Sequence, residues 1–360
     1  MSTFFPGWKK AVEKYSKQAS NEDLLVVKDS IIKLERDEHK CLYLSFLHQA
    51  AGNGAVKLME IILKTSVNLN AIKYSSGDTA LHLACKNGKT ELVELLIKSS
   101  KNCSIDLNAR EDKGCTALHL ACENGRTETV KLLIKSSKIF SIDLNAKDVE
   151  NELTPFHLAC ECGRTEIVEL MIKLSKDFNI DLNDRDDRGR TALYSACHYG
   201  RTETVQLMIK SSKVFNIDLN TREDDDGWTA FHLACLRGRT EIVELMIKSS
   251  KDFDIDLNYR DVRGWTAFHR ACQNGHIETV HLMMKNWKEF GIDIKAQDNE
   301  GKTPLDIARI QEDRYNMGKF RIRDIYNENR KHIIEMLEIE YSKMDDPEHE
   351  LTYTNVLILK

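Results

Sequence analysis

No stretch of eighteen or more apolar residues occurs in this 360-residue chain, so no membrane-spanning helix is expected. The first ten residues carry Phe4, Phe5, Pro6 and Trp8 but no continuous apolar core, so no secretory signal is visible. Without an export signal, the ten cysteines are expected in a reducing compartment. The chain also lacks a Gly-Lys-Ser/Thr phosphate loop, a His-Glu-x-x-His pair, a nucleophile elbow and a kinase signature. Net charge is only -5, which argues against nucleic acid or an anionic membrane as the main partner. With 41% apolar and 30% charged residues the chain is not a disordered one. At 360 residues it exceeds what one core usually serves, so several domains or a repeat array is expected.

What is present is repetition. Thr79, Thr116, Thr154, Thr191, Thr229, Thr266 and Thr303 each open a Thr-Ala/Pro-Leu/Phe run, at steps of 37, 38, 37, 38, 37 and 37 residues. We number these repeats one to seven. Ser45 opens a divergent eighth copy 34 residues before Thr79.

The unit from Asp226 to Asn258 shows the local logic. Asp226-Gly227 signals a turn, and the Thr229 hydroxyl is suited to cap a short helix. Phe231-His232-Leu233-Ala234-Cys235 gives that helix a dense apolar face. Gly238 suits the left-handed position that ends it. Thr240 is expected to cap a second helix, with Glu241 in its first turn. Ile242, Leu245 and Met246 recur at helical spacing and form one buried stripe. Ile255-Asp256-Leu257-Asn258 alternates as an extended segment does.

The run Gly77-Asp78-Thr79-Ala80-Leu81-His82-Leu83-Ala84-Cys85, followed by Asn87-Gly88-Lys89-Thr90-Glu91-Leu92-Val93, closely resembles the ankyrin repeat. So does Ile105-Asp106-Leu107-Asn108-Ala109. The resemblance covers residues 42–310 and implies an all-α repeat solenoid of helix-turn-helix pairs with β-turn or hairpin tips. Three features depart from the family. The period exceeds the usual ~33 residues. The surplus follows the second helix, where Phe140, Phe178, Phe215, Phe253 and Phe290 recur. Those helices are expected to be about one turn longer, each Phe closing the end of the core. Only Pro155 and Pro304 keep a proline after the threonine. The last repeat breaks after Ala308.

A stack needs atypical ends, so helical caps are expected at both. Residues 1–41 read as an N-terminal helical cap, Trp8–Gln18 and Leu24–Arg36, and residues 42–310 as the array. Residues 311–360 hold a polar insertion, Gln311–Asn329, a cap helix, Arg330–Glu340, and an apolar tail, Val356–Leu359.

His82/Cys85, His119/Cys122, His157/Cys160, His232/Cys235 and His269/Cys272 are spaced i, i+3, which suits two metal ligands on one helical face. Against that, the resemblance makes the histidine a structural residue bonded to neighbouring turns, and a free cysteine packs as a small apolar residue. Tyr194 replaces the histidine in repeat four. Disulfides along the stack are not expected, because helices pack ~8–10 Å apart and bridged Cα atoms stay within ~7 Å. A residue type recurring with every repeat is scaffold, whereas a catalytic site is unique. The chain therefore reads as no enzyme, with no cofactor and no metal.

In a solenoid, function lies where repeats differ. The resemblance places partners on the turn tips and the exposed face of the first helix. In repeats four to six these positions hold Arg185, Arg190, His198, Tyr199, Arg222, Trp228, Leu236, Arg237, Arg260, Trp265, Gln273 and Asn274. Trp, Tyr and Arg are the hot-spot types, and two tryptophans at tips need a reason to face water. The competing reading packs each tryptophan on the next turn and pairs the arginines with Asp186, Glu223 and Asp261. The expected function is a protein-binding scaffold or adaptor, cytoplasmic with nuclear entry open, acting as a monomer. Its partner is another protein presenting acidic and apolar groups, with no nucleic acid and no membrane. The alternative is a regulatory or targeting subunit of an enzyme complex. Asn108, Asn145, Asn183, Asn220 and Asn258 resemble positions that asparaginyl hydroxylases modify in ankyrin repeats; a turn-fixing hydrogen bond is their other role.

Overall fold

The computed structural model describes residues 40–64, 69–70, 76–316 and 323–344. The helices expected at Trp8–Gln18 and Leu24–Arg36 and the tail Val356–Leu359 lie outside them. Among the described residues there are sixteen α-helices and no strand. The chain divides into two compact blocks, Met1–Asp187 and Arg188–Lys360.

The first block holds α1 (Lys40–Asn53), α2 (Val56–Ile62), α3 (Ala80–Lys86), α4 (Thr90–Cys103), α5 (Ala117–Glu123), α6 (Thr127–Phe140), α7 (Pro155–Glu161) and α8 (Thr165–Phe178). The short helices stack in one row, α1 on α3 on α5 on α7, and the longer ones in another, α2 on α4 on α6 on α8. In the divergent first copy His48 still reaches the next tip, with Nε2 bonded to the Asp78 carbonyl at 3.0 Å. The second block repeats the scheme with α9 (Ala192–His198), α10 (Thr202–Phe215), α11 (Ala230–Leu236), α12 (Thr240–Phe253), α13 (Ala267–Asn274), α14 (Ile277–Phe290), α15 (Pro304–Asn316) and α16 (Arg323–Met344).

The short helices α3, α5, α7, α11 and α13 start at their threonines because the side chain of the third residue, a histidine, closes the cap. Thr229 is extended (φ -86°, ψ 169°) and its Oγ1 accepts the His232 N–H. The Thr229 N–H donates back to His232 Nδ1 at 3.3 Å. Nδ1 is thus an acceptor, so the proton sits on Nε2, which donates to the Trp265 carbonyl at 3.1 Å. The helix ends at Gly238, φ +60°, where a Cβ would lie 2.6 Å from His276 Nδ1, so only glycine fits.

The long helices bury one stripe. In α12 it comprises Ile242, Val243, Met246 and Ile247, each at most 1% exposed, and each such side chain contributes about 1.5–3 kcal/mol by leaving water. Ser250 ends the stripe and stays buried because its Oγ donates to the Ile247 carbonyl at 2.8 Å.

Two local expectations change. Thr240 is the first helical residue, not the cap: Arg239 occupies the cap position without a side-chain bond, and the Thr240 hydroxyl bonds that of Thr279 at 2.9 Å. The long helices do run 14 residues, to Phe140, Phe178, Phe215 and Phe253. Their phenylalanines, however, are half-buried rather than core. The preceding repeat's lysine lies over the ring and covers part of it: Lys138 on Phe178 at 4.8 Å and Lys213 on Phe253 at 5.6 Å. The next residue, such as Ser141 (φ 54°) or Asn216 (φ 55°), is left-handed and turns the chain out of the helix. Ile255 and Leu257 then point inward and Asp256 outward, so the alternation is real although no strand forms.

At the C-terminal end, helices reach into the expected polar insertion from both sides, since neither residues 311–316 nor 323–329 contain glycine or proline. α16 packs on α14 and α15, burying Ile333 and Leu337. Arg330 of this helix donates to the Gln273 carbonyl at 3.1 Å, the carbonyl end of a first helix.

Candidate protein-binding face

The tips are closed by carboxylates. Asp261 Oδ1 accepts the N–H groups of Arg263 (2.8 Å) and Trp265 (2.9 Å). Glu223 Oε1 does the same for Asp226 (2.8 Å) and Trp228 (3.0 Å). Neighbouring tips are tied by Val262 N–H to the Asp226 carbonyl at 3.0 Å and Asn299 N–H to the Arg263 carbonyl at 3.0 Å. The approach is close: a Cβ on Gly264 would lie 2.8 Å from the Asn299 nitrogen. Glu223 and Asp261 are therefore buried turn-closers.

The asparagines form a second ladder. Asn220 Nδ2 donates to the Asp254 carbonyl at 2.7 Å and its Oδ1 accepts the Asp256 N–H at 2.9 Å. Asn108, Asn145 and Asn258 make the same pair of bonds to Ser141/Asp143, Asn179/Asp181 and Gly291/Asp293. The carbonyl each one grips belongs to the left-handed residue that follows the next long helix, so the ladder holds successive repeats in register. Asn183 is half-buried at the equivalent position.

The residues singled out from sequence differ in exposure. Arg185 is exposed in the first block. In the second block, Arg222 and Arg237 are exposed and Tyr199 is 44% exposed. Arg190, His198, Leu236, Gln273 and Asn274 are half-buried. Arg222 lies 5.2 Å over the Tyr259 ring, and Arg260 donates to the Gln297 carbonyl of the next tip. Tyr199 meets His198 edge-on at 4.8 Å. Burial lowers the His198 pKa, and Arg237, Arg190 and Arg239 lower it further. His198, Tyr199, Arg190, Arg237 and Arg239 make one basic, aromatic cluster.

The tryptophans are not a matched exposed pair. Trp265 is only 8% exposed, and its indole donates to Asp298 at 2.9 Å. Trp228 is half-buried. Between them sits Arg270, its guanidinium carbon 4.6 Å from the Trp228 ring and 4.5 Å from that of Trp265. Arg270 is 4% exposed and forms a buried ion pair with Asp261. The sequence reading passed over Arg270, yet a signal existed. The same place four residues past the threonine holds Leu83, Leu120, Leu158, Ser195, Leu233 and Ile307 in the other repeats.

The buried histidines and cysteines of the short helices are held in unreactive states. In His119 and His232 both ring nitrogens are engaged by backbone or threonine, and burial holds each near pKa 4. Burial likewise pushes Cys197 up to about 12, far from a thiolate at neutral pH. Among the described residues no three of His, Cys, Asp and Glu converge as metal ligands do. No helix among them is long and apolar enough to cross a membrane.

Paired helices stacked in two rows, with tips laddered by hydrogen bonds, define a repeat solenoid built to present its tips and first helices. The chain belongs to the ankyrin repeat family. The family model for ankyrin repeats (three copies) matches residues 19–111, 47–148, 103–186, 138–221, 174–261, 214–298 and 253–320. Ankyrin repeats are in general protein-interaction scaffolds. No curated protein matches the chain. Among solved structures it resembles the ankyrin repeat domain of Bcl-3, a unique member of the IkappaB protein family, with a TM-score of 0.56 and 24% identity. The likeness covers 65% of this chain and 95% of that one and concerns the fold.

Proposed function

We propose that this chain is a non-catalytic scaffold or adaptor that holds another protein against the tips and first helices of repeats four to six. One observation carries the proposal: positions shared by all repeats are engaged in holding the stack, whereas chemistry that varies collects around Tyr199, His198, Arg190 and Arg237. That cluster is basic and aromatic, the composition of an interface hot spot, and it matches a partner with acidic and apolar groups. Asn108, Asn145, Asn183, Asn220 and Asn258 are proposed in addition as substrates of an asparaginyl hydroxylase.

The test is affinity capture from native lysate with the wild-type chain and a Tyr199→Ala/Arg237→Glu variant side by side. Both residues are on the surface, so the fold is retained. Loss of the captured protein supports this face, and equal capture removes it. Trp265→Ala is unsuitable here, because deleting a buried ring destabilises by about 3–5 kcal/mol and mimics lost binding.

A further inference from the structure

We infer that Trp228 and Arg270 form a subsite for a main-chain carbonyl oxygen of an extended segment of the bound protein. The inference rests on the binding face proposed above and identifies one contact within it.

Three observations meet at this point. The other six numbered repeats place an aliphatic residue or serine where the sixth has Arg270, and the divergent first copy has Gln49. An aliphatic side chain fills that place adequately, so packing alone does not call for a guanidinium. Arg270 is almost wholly buried, yet its bonds within the chain are incomplete: Nη2 pairs with Asp261, Nη1 meets Gln273 Oε1 at 3.3 Å, and Nε has no partner among the described residues. The indole Nε1 of Trp228 is likewise buried without a partner, whereas that of Trp265 is bonded to Asp298. Two unsatisfied donors therefore occur in two stacked groups, the guanidinium carbon being 4.6 Å from the Trp228 ring. Unpaired buried donors are unfavourable and rare. An acceptor reaching both relieves both.

Charge selects the acceptor. Asp261 already neutralises Arg270, and the further charges acting on that guanidinium, Arg263 and Asp226, oppose each other. An added anion here would be buried without a counter-charge. A neutral carbonyl oxygen carries two lone pairs and satisfies two N–H groups without one. Trp228 is only half-buried, so its ring borders the proposed face, and binding requires the indole to turn its buried N–H toward the ligand. On the Trp265 side of Arg270 a cavity of about 430 Å³ is lined by Trp265 and Ile307 but mostly by polar groups, among them Gln273, Asp298, Glu300 and Lys302, and has room for a polar side chain of the same segment. Gln273 joins the two places, since it also bonds Arg270.

The test uses peptides selected from a randomised linear library on the full-length chain. Trp228→Phe keeps the ring and its stacking on Arg270 but deletes the donor. The expected result is an unchanged melting temperature with about tenfold weaker peptide binding. Replacing the peptide's amides by esters one at a time weakens their carbonyls as acceptors. One position should then lower affinity for the wild type and leave Trp228→Phe unaffected. In the wild type, indole NMR should show the Trp228 N–H moving downfield on binding. Equal affinity for wild type and Trp228→Phe overturns the subsite, and so does an Asp/Glu→Asn/Gln change in the peptide that reproduces the Trp228 dependence. Peptides that ignore Trp228→Phe but respond to Tyr199→Ala/Arg237→Glu leave the scaffold proposal standing. Peptides that ignore all three substitutions overturn both.

Discussion

Lowering the pH from neutral should loosen both blocks, and the capping histidines set the size of the effect. Burial, only partly offset by hydrogen bonds to carbonyl groups, holds His119 and His232 near pKa 4 against an ordinary 6.5. Protonating either places a proton on Nδ1, which must release the threonine N–H it accepts. An unfolded histidine binds its proton near pH 6.5 and the folded one only near pH 4, so the unfolded state gains protons first. The stability is complete above pH 6.5 and is lost as pH falls toward 4. At about 1.4 kcal/mol for each pH unit between the two values, each histidine accounts for about 3 kcal/mol. His119 lies in the first block and His232 in the second, so both blocks weaken. His82 and His269, lowered by the same burial, add in the same direction. Asp298 acts lower down. Burial pushes Asp298 up, but N–H bonds from Lys302, Glu300 and the Trp265 indole outweigh it and hold it below 3.8. Urea unfolding followed by far-ultraviolet circular dichroism, repeated between pH 7 and pH 4, measures the slope. Imidazole NMR reads each histidine separately. Unchanged stability across this window, or His119 and His232 titrating near 6.5, refutes the tautomer and burial argument.

Asn220→Ala removes the bonds to Asp254 and Asp256 from a half-exposed rung of the ladder and should destabilise by about 1–2 kcal/mol, read as a lower urea midpoint. Peptide mass spectrometry of the chain isolated from cells should show one added oxygen atom on the peptides carrying Asn108, Asn145, Asn183, Asn220 or Asn258; peptides of unmodified mass throughout reject the hydroxylation proposal.

The repeat was legible because its determinants are local. The threonine, the histidine three residues later, the glycine that ends the helix and the apolar stripe of the long helix all lie within one unit and recur at fixed steps. Even the added helical turn could be read from the recurring phenylalanines. The roles that failed to transfer depend on the neighbouring repeat. Thr240 loses its capping role to a bond with Thr279, and the phenylalanines stay half-buried under the preceding lysines.

The candidate face divides in the same way. Which residues vary between repeats, including Tyr199, Arg237 and the lone arginine at 270, is written in the chain itself, because comparing repeats needs no coordinates. Whether a varying residue faces solvent is decided by contacts between tips that lie 33 or more residues apart in sequence. Trp265 is hidden because Asp298 of the next tip takes its N–H and Arg270 covers its face. For Trp228, in the same place one repeat earlier, the equivalent carboxylate Asp261 is paired with Arg270 instead, and the indole donor has no partner among the described residues. Spacing along the chain specifies the repeat; only packing between repeats separates a buried ring from an exposed one, since burial is a property of what lies across the interface.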